Sequence, residues 1–267
     1  MSEKKQRLAD LDWLRVLAVL LLIPFHAALI WGSGVDDHWL KDTPLPTPDL
    51  FAHFVHQWHM PLLFVIAGMA AWFSLRSRTG GQFMKERVGR LLVPLLLILL
   101  FFPLQAYYWF RINEGVTDSF LRFYPFGVAV APAFGVSAIL GVQWFLVYLF
   151  IIAAVTLPIL LYLRGEKGRA VVEWLARRAE KPVFLLLFAL PIVLVEVALR
   201  AHFGNQRNVY NDWANMAFYC VLFLNGYLLA SDGRFREAIR KAAPAALALA
   251  VVSCGLGLTW VMGGNPL

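Results

Sequence analysis

Seven long apolar runs constrain the fold of this chain more than any other feature of its sequence. They cover residues 13–31, 51–75, 91–110, 143–163, 182–199, 213–230 and 242–262. Each run is long enough to cross the hydrocarbon core of a bilayer as an α-helix. Only 15% of the 267 residues are charged, whereas soluble domains carry about a quarter of charged residues. We therefore predict an all-α fold, a polytopic transmembrane helix bundle with about seven spans.

The positive charge is distributed along the chain in a way that indicates membrane topology. The formal net charge is +7, but the basic residues form no single patch that suggests nucleic-acid binding. With the N-terminus placed in the cytoplasm, 18 of the 24 Lys and Arg residues fall in inner segments and 5 in outer segments. Cytoplasmic segments of membrane proteins carry such an excess. We therefore predict an integral membrane protein with a cytoplasmic N-terminus, a lipid bilayer around it and no nucleic-acid partner.

Three further segments give predictions about the ends and connections of the spans. The first run is full-length and no clear A-x-A site follows it, so we expect an uncleaved first span. The apolar segment 126–140 is short and broken by Gly and Pro, which predicts a re-entrant or interfacial piece. The inner segment 164–181 predicts a basic amphipathic surface helix. Its apolar side would carry Val171, Val172, Trp174 and Leu175.

Arg15 and His26 lie eleven residues apart inside the first apolar run. Eleven residues of α-helix advance about 16 Å and turn about 1100°, so the two side chains share one face. An ionisable residue at the centre of a spanning helix costs about 3 kcal/mol, which makes both residues candidates for a functional site. Two other interpretations stay open. Arg15 can snorkel to the inner edge and pair with Asp12, and His26 can make a hydrogen bond between helices.

His53, His56 and His59 form a stripe at the start of the second run. A metal site is one interpretation of the stripe. However, ligands on successive turns diverge along the axis and no nearby carboxylate completes them, so we predict no metal. His59 lies deepest, and we expect His26 and His59 to meet across a helix pair at similar depth.

Arg87 and Arg90 form an Arg-x-x-Arg pair at the inner end of the third span. One helical turn separates them, so they project from one face and can clamp phosphate groups bidentately. The alternative is that both charges only set the topology.

Other polar residues in the apolar runs have structural explanations. Glu196 and Arg200 are spaced as an ion pair on one helix. Polar residues around the sixth span predict hydrogen bonds between helices or the lining of an aqueous cavity. These are Asn208, Asn211, Asp212, Asn215 and Asn225. Cys220 and Cys254 are expected to be small buried thiols.

Four motifs in this order resemble those of the acyltransferase-3 family of integral membrane O-acyltransferases. They are Leu11-Asp12-Trp13-Leu14-Arg15 with ten residues before His26, Gln57-Trp58-His59-Met60-Pro61-Leu62-Leu63-Phe64 followed by Gly68, Arg87-Val88-Gly89-Arg90-Leu91-Leu92-Val93-Pro94, and Gln143-Trp144-Phe145-Leu146. The resemblance covers essentially the whole chain. Asn211-Asp212-Trp213 and Asn225-Gly226-Tyr227 are similar to the branch that succinylates osmoregulated periplasmic glucans.

The resemblance implies a membrane O-acyltransferase in the cytoplasmic (inner) membrane of a bacterium. Such an enzyme moves an acyl group from a cytoplasmic donor of the acyl-CoA type, acetyl- or succinyl-CoA, to a sugar hydroxyl of a periplasmic or cell-surface glycan. By the resemblance His26 acts as the base, with Arg15 and His59 in the catalytic centre. Arg87 and Arg90 would hold the phosphates of the donor, and no cofactor would be bound permanently.

The number of spans departs from the pattern of the family. Residues 1–267 are expected to form a single acyltransferase-3-like transmembrane domain. The family has about ten spans, whereas seven runs here are long enough to cross a bilayer. Either the domain is incomplete at its C-terminus or it lacks part of the acceptor tunnel.

Two other classes of function stay open on the residues alone. A secondary transporter also places ionisable residues at mid-depth, but it is expected to show internal repeats and paired broken helices, and we find none that is convincing. A non-catalytic membrane scaffold is the other alternative, and it predicts that replacing His26 has no effect.

Overall fold

The computed structural model describes residues 9–31, 43, 45–100, 102–130, 141–203 and 209–262. Of these residues 88% are helical and none lies in a strand, which confirms the all-α fold. Within the described chain, six helical stretches are long and apolar enough to cross a membrane. They are Leu11–Trp31, Pro46–Leu75, Gly80–Asn113, Trp144–Arg164, Trp213–Ser231 and Gly233–Gly257. These six coincide with six of the predicted spans.

Eleven α-helices in the described chain are numbered here in chain order. They are α1 Ala9–Ala28, α2 Pro46–Leu75, α3 Gly80–Arg87, α4 Val93–Leu99, α5 Phe102–Asn113, α6 Phe120–Val130, α7 Trp144–Arg164, α8 Glu166–Ala179, α9 Leu190–Leu199, α10 Trp213–Ser231 and α11 Gly233–Met262. A π-helical stretch, Val88–Leu92, joins α3 to α4. Short 3₁₀ segments lie at Leu29–Trp31, Gly141–Gln143 and Pro182–Phe188.

The predicted span 182–199 is the one that is not a long helix. It consists of the 3₁₀ segment Pro182–Phe188 followed by α9, and its apolar part, Val183–Leu199, is a shorter helix. Pro191 sits in the first turn of α9 and has no N–H, so it cannot continue an α-helical ladder from the preceding turn. Because a 3₁₀ helix rises about 2.0 Å per residue against about 1.5 Å in an α-helix, the segment is longer than its residue count suggests.

The chain divides into two compact units. The first contains residues up to Ile66 together with those from Lys241 onward, and the second contains Ala67–Arg240. The boundaries fall inside α2 and α11. The single domain expected from the sequence stays a prediction.

In the first unit, α1 and α2 pack against each other as an antiparallel pair. The core between them contains Phe25, Ala28 and Leu29 from the α1 end and Ala52 and Val55 from α2. The backbone N–H of Leu45 donates to the carbonyl of Trp31 at 3.0 Å, which closes the pair at the end of the connection. This pairing places the histidine stripe of α2 beside the His26 end of α1.

In the second unit, the end of α2 packs closely on α10. A Cβ atom at Gly68 would overlap the backbone carbonyl of Phe223, so only glycine allows this approach. Trp72 packs edge-on against Tyr227, with ring centroids 5.3 Å apart. The hydroxyl of Tyr227 donates to the carbonyl of Leu160 at 3.0 Å, which connects α10 to α7.

Two sets of hydrogen bonds order the basic segment that follows α2. The side chain of Thr79 accepts from the N–H of Gln82 at 3.2 Å, and Gln82 Oε1 accepts from the N–H of Thr79 at 2.9 Å, which is a capping box at the start of α3. Arg164 Nη1 donates to the carbonyls of Leu75 and Arg78, each at 2.8 Å, and so satisfies one carbonyl at the end of α2 and one in the turn that follows. Helix α3 was not predicted from the sequence.

The predicted amphipathic helix between the fourth and fifth runs is present as α8. Its apolar side is rotated relative to the prediction. Val172 is buried and Leu175 packs on the same core, but Val171 is 41% exposed and Trp174 48% exposed. The buried face instead continues through Ala176 and Ala179, whose small side chains leave room for Phe235 and Ala238 of α11. Of the predicted re-entrant segment 126–140, residues 126–130 belong to α6 and the rest lies outside the described residues.

Candidate active site

Arg15 and His26 lie on α1, and each is held by a contact within that helix. Arg15 Nη1 lies 3.5 Å from Asp12 Oδ1, and about half of each side chain is exposed. His26 Nδ1 lies 2.8 Å from the carbonyl oxygen of Leu22. The two residues share a helix face as predicted from their spacing, about 16 Å apart along the axis. The ion pair to Asp12 agrees with the structural interpretation of Arg15.

The partner of His26 determines which ring nitrogen carries the proton. A carbonyl oxygen only accepts hydrogen bonds, so Nδ1 must be the donor toward Leu22. In the neutral imidazole the lone pair is then on Nε2. An oriented neutral imidazole of this tautomer is suited to accept a proton from a hydroxyl group.

His59 is buried and connects α2 to α1. Its side chain is 1% exposed, and Nε2 lies 2.7 Å from the carbonyl oxygen of Ala18. Nε2 is therefore the donor, and Nδ1 carries the lone pair. Within the described part of the chain this buried Nδ1 has no hydrogen-bond partner.

Phe25 lies against both histidines that the sequence analysis expected to meet. Its ring centroid is 5.3 Å from that of His26, 6.1 Å from that of His59 and 6.3 Å from that of His56. His59 bonds to Ala18, which precedes His26 by about two helical turns. The structure therefore brings His26 and His59 to a shared aromatic neighbour. The sequence carried no signal for this role of Phe25, because the register between α1 and α2 is set by their packing.

A carboxylate lies beside the histidine stripe, although none was expected there from the sequence. Asp49 Oδ1 lies 3.4 Å from His53 Nε2, and both side chains are mostly buried. The expectation that no carboxylate lies near the stripe was therefore wrong, and the i,i+4 spacing was the available signal. Among the residues that the structure describes, no three His, Cys, Asp or Glu side chains form a cluster that could hold a metal ion.

Arg87 and Arg90 lie in the second unit, at the junction of α3 with the π-helical stretch. The guanidinium carbon of Arg87 lies 4.8 Å from the centroid of the Phe83 ring. Arg90 is largely exposed, and its Nη2 lies 2.8 Å from Glu86 Oε1. π-Helical turns inside α-helices occur frequently at functional sites.

Glu86 is a second residue near a predicted site that sequence reasoning missed. Besides Arg90, its carboxylate lies 3.4 Å from Arg78 Nη1 and accepts from the hydroxyl of Ser74 at 3.2 Å. A phosphate that binds Arg90 must therefore compete with an internal carboxylate. The four-residue spacing from Glu86 to Arg90 was the signal that could have found it.

A polar network links α7, α9 and α10 in the second unit, and its members Tyr148, Asp212 and Asn215 are buried. Tyr148 donates to Asp212 Oδ2 at 2.6 Å, and Asn215 Nδ2 lies 3.0 Å from both oxygens of that carboxylate. Arg200 Nη1 donates to Asn215 Oδ1 at 2.9 Å, and its other nitrogens bond to both oxygens of Glu196 at 2.7 and 2.9 Å. The predicted pair of Glu196 and Arg200 is therefore present.

One further polar residue of the sixth span behaves as the sequence suggested. Asn225 donates to the carbonyl of Phe188 at 2.9 Å, a hydrogen bond between segments. Cys220 and Cys254 are both partly buried free thiols. Asn208 lies outside the described residues. Val209 has a φ of 70°, an unfavourable value for a β-branched residue, and its N–H lies 3.4 Å from the hydroxyl of Tyr148.

Apolar helices of spanning length define a polytopic membrane protein, and two of its imidazoles are oriented by backbone carbonyls. Residues 8–266 match the model of the acyltransferase domain family, and the chain belongs to that family. Its class is therefore that of the membrane acyltransferases, and the resemblance expected from the four motifs is confirmed.

Curated relatives share part of the chain. The glucans biosynthesis protein C of Escherichia coli O6:K15:H31 is 29% identical over 119 residues, which cover 44% of this chain and 30% of the relative. The glucans biosynthesis protein C of Shigella dysenteriae serotype 1 is 30% identical over 116 residues, which cover 43% of this chain and 29% of the relative. The alignments thus span less than a third of the relatives' own length. No solved structure shows significant similarity to the chain.

Proposed function

We propose that the chain acts in a membrane O-acyltransferase that moves an acyl group from a donor of the acyl-CoA type to a sugar hydroxyl. The acceptor is a periplasmic or cell-surface glycan. Membership of the acyltransferase family supports the reaction class. The names of the relatives, which refer to glucan biosynthesis, favour a glucan as acceptor. Acetyl-CoA and succinyl-CoA are the donors to test first.

The observation that carries the catalytic part of the proposal is the contact of His26 Nδ1 with the carbonyl oxygen of Leu22. With Nδ1 donating to Leu22, Nε2 can take the proton of the attacking sugar hydroxyl. The hydroxyl oxygen then bonds to the thioester carbon, the carbon–sulfur bond breaks, and the thiolate of the donor receives the proton from the imidazole. Arg15, on the same face of α1 but about 16 Å from His26 along the axis, orients the donor at a point away from the thioester carbon. His59, with its buried Nδ1 next to Phe25, contributes to the same centre.

The donor side of the proposal uses Arg87 and Arg90. Both are cations at the start of the third spanning stretch, and guanidinium groups bind phosphates bidentately. The partners are therefore the bilayer, the acyl-CoA donor and the glycan. No permanently bound cofactor is proposed.

We further propose that the protein lies in the cytoplasmic (inner) membrane of a bacterium, with its N-terminus in the cytoplasm. The support is the unequal distribution of Lys and Arg over the loops. This orientation puts Arg87 and Arg90 on the cytoplasmic side, where acyl-CoA is present.

Replacement of His26 tests the proposed chemistry. We expect His26→Gln to lower the transfer of labelled acyl groups to an outer-side glucan by about 10²–10⁴-fold, because glutamine cannot accept the proton at neutral pH. His202→Gln, an exposed histidine outside the site, is the matched control. The assay uses membrane vesicles with equal amounts of each variant and equal thermal stability. Retention of more than about a tenth of the transfer by His26→Gln would show that His26 is not the base.

A further inference from the structure

A cavity of about 660 Å³ opens in the second unit, where the ends of α2, α7 and α10 approach α8 and the start of α11. Apolar walls are formed by residues that include Trp72, Val172 and Tyr227. Its charged residues are Arg76, Arg164, Arg169, Glu173, Asp232 and Arg234. All of these charged residues fall in segments that the distribution of Lys and Arg predicts to be cytoplasmic.

Both carboxylates of the cavity are already paired with arginine. Arg234 Nη2 and Nε donate to the two oxygens of Asp232 at 2.8 and 3.0 Å. The Arg234 guanidinium beside Asp232 therefore holds the pKa of that carboxyl below its usual range. Glu173 pairs with Arg177, one turn further along α8, at 2.9 Å.

The other three arginines have no carboxylate partner in the part of the chain that the structure describes. Arg164 uses Nη1 to bond to the carbonyls at the end of α2, and Arg169 uses Nε to bond to the carbonyl of Arg164 at 3.1 Å. The side chain of Arg76 makes no hydrogen bond or ion pair with the described residues, and only its backbone N–H donates, to the carbonyl of Trp72 at 3.1 Å. Each guanidinium has five N–H donors, so most donors of these three side chains are not used within the chain.

We propose that this cavity binds a phosphate group carried by a larger molecule. Three arginines without carboxylate partners supply bidentate, charge-assisted donors that suit phosphate. The volume is many times that of one phosphate and lies in the range of ligand sites, so the remainder of the ligand has room beside Trp72 and Tyr227. Basic pockets between spanning helices on the cytoplasmic side bind phospholipid head groups, and a soluble diphosphate presents the same chemistry.

Two binding measurements distinguish the sources of the phosphate. The first counts lipid adducts on the full chain by native mass spectrometry after exposure to phosphatidylglycerol, with phosphatidylcholine as the zwitterionic comparison. The second follows the fluorescence of Trp72, compared with a Trp72→Phe background, during titration with inorganic pyrophosphate. The variants are Arg76→Gln and Arg169→Gln. Arg240→Gln is the control, since Arg240 is exposed, pairs with Glu237 and lies outside the cavity.

We expect each cavity substitution to weaken binding by about tenfold or more, and Arg240→Gln to leave it unchanged. Arg76→Lys keeps a positive charge and should recover part of the affinity, which distinguishes a lost contact from misfolding. If the cavity substitutions weaken only the binding of phosphatidylglycerol, the ligand is a lipid head group. If they weaken only the binding of pyrophosphate, the ligand is a soluble molecule. Binding of both probes that is insensitive to Arg76 and Arg169 overturns the proposal.

This inference is independent of the acyl transfer proposed above, because neither measurement uses an acyl donor or an acceptor. A negative result here would leave the role of His26 in place. A pyrophosphate result would add the cavity to the donor side of the proposed enzyme.

Discussion

The ring nitrogens of His26 and His59 both face backbone carbonyl oxygens, those of Leu22 and Ala18. A carbonyl fixes the orientation and tautomer of an imidazole without placing a full negative charge beside it. His53 differs, since Asp49 lies 3.4 Å from its Nε2. The local geometry therefore separates two imidazoles oriented by carbonyl oxygens from one that has a carboxylate partner.

The hydrogen bond from His59 to Ala18 predicts different effects for two substitutions at this position. His59→Phe leaves the carbonyl of Ala18 without this donor and should lower the free energy of unfolding by about 1–3 kcal/mol. His59→Gln can place its amide nitrogen where Nε2 lies and should keep most of the stability. Thermal unfolding of both variants in the same detergent checks this, and equal losses would contradict the role of the hydrogen bond.

The ion pair between Arg90 and Glu86 gives a prediction about donor affinity, because Glu86 competes with the donor phosphate for Arg90. Arg90→Ala should raise the KM for acyl-CoA by about 10–100-fold with kcat less affected, since a charge-assisted contact to phosphate is lost. Glu86→Gln should lower the same KM, because Arg90 and Arg78 are released from the carboxylate. Arg122→Gln, on α6 and paired with Asp118, is the control. An unchanged KM in folded Arg90→Ala would show that Arg90 does not bind the donor and only contributes to membrane topology.

At the residue scale, the sequence singles out side chains that conflict with their surroundings. Arg15 and His26 stand out because charged or polar groups are rare in an apolar run. Phe25 and Glu86 did not stand out, since an aromatic residue in a span and an acid in a basic loop are ordinary. Their roles depend on packing between helices and on helical spacing within a segment that was not recognised as a helix.

At the scale of helices, the close approach of α2 and α10 depends on one glycine. Gly68→Ala should destabilise the protein by about 1–3 kcal/mol, because the new Cβ overlaps the backbone carbonyl of Phe223 and the helices must separate. Gly81→Ala is the matched control in α3, where a Cβ meets no atom within 4 Å. This change should stabilise the helix by up to about 1 kcal/mol. Opposite shifts of the unfolding temperature are expected, and two similar shifts would contradict the packing argument.

Six of the spanning helices were predicted from the long apolar runs, because length and hydropathy alone decide whether a helix can cross the hydrocarbon core. Residues 182–199 do not form one continuous α-helix because Pro191 has no N–H to continue the backbone hydrogen bonds of the preceding turn. A hydropathy profile contains no information about this hydrogen bonding. For α3, the pair Thr79 and Gln82 was a readable signal for a helix start, but the net positive charge of the segment favoured a loop. The buried face of α8 differs from the predicted one because α8 carries more apolar residues than one face holds. Which of them are buried depends on the packing partner, here α11.

At the scale of the whole molecule, the apolar surface supports a membrane environment. Leu17, Val19 and Ile23 on α1 are more than half exposed, and so are Leu247 and Val251 on α11. Soluble monomers rarely expose contiguous apolar surface of this kind. The division into two units was not predictable from the sequence, because its boundaries lie inside the continuous helices α2 and α11.

The proposed orientation predicts which loops a membrane-impermeant reagent can reach. Cytoplasmic segments hold 18 of the 24 basic residues in this orientation, so moving them outside would oppose the positive-inside rule. In a background in which Cys220 and Cys254 are replaced by Ser, Lys85→Cys should react with an impermeant maleimide only after the membrane is opened. Glu114→Cys, also exposed but in a predicted outer segment, should react in intact cells. The opposite pattern would reverse the topology and place Arg87 and Arg90 on the side that lacks acyl-CoA.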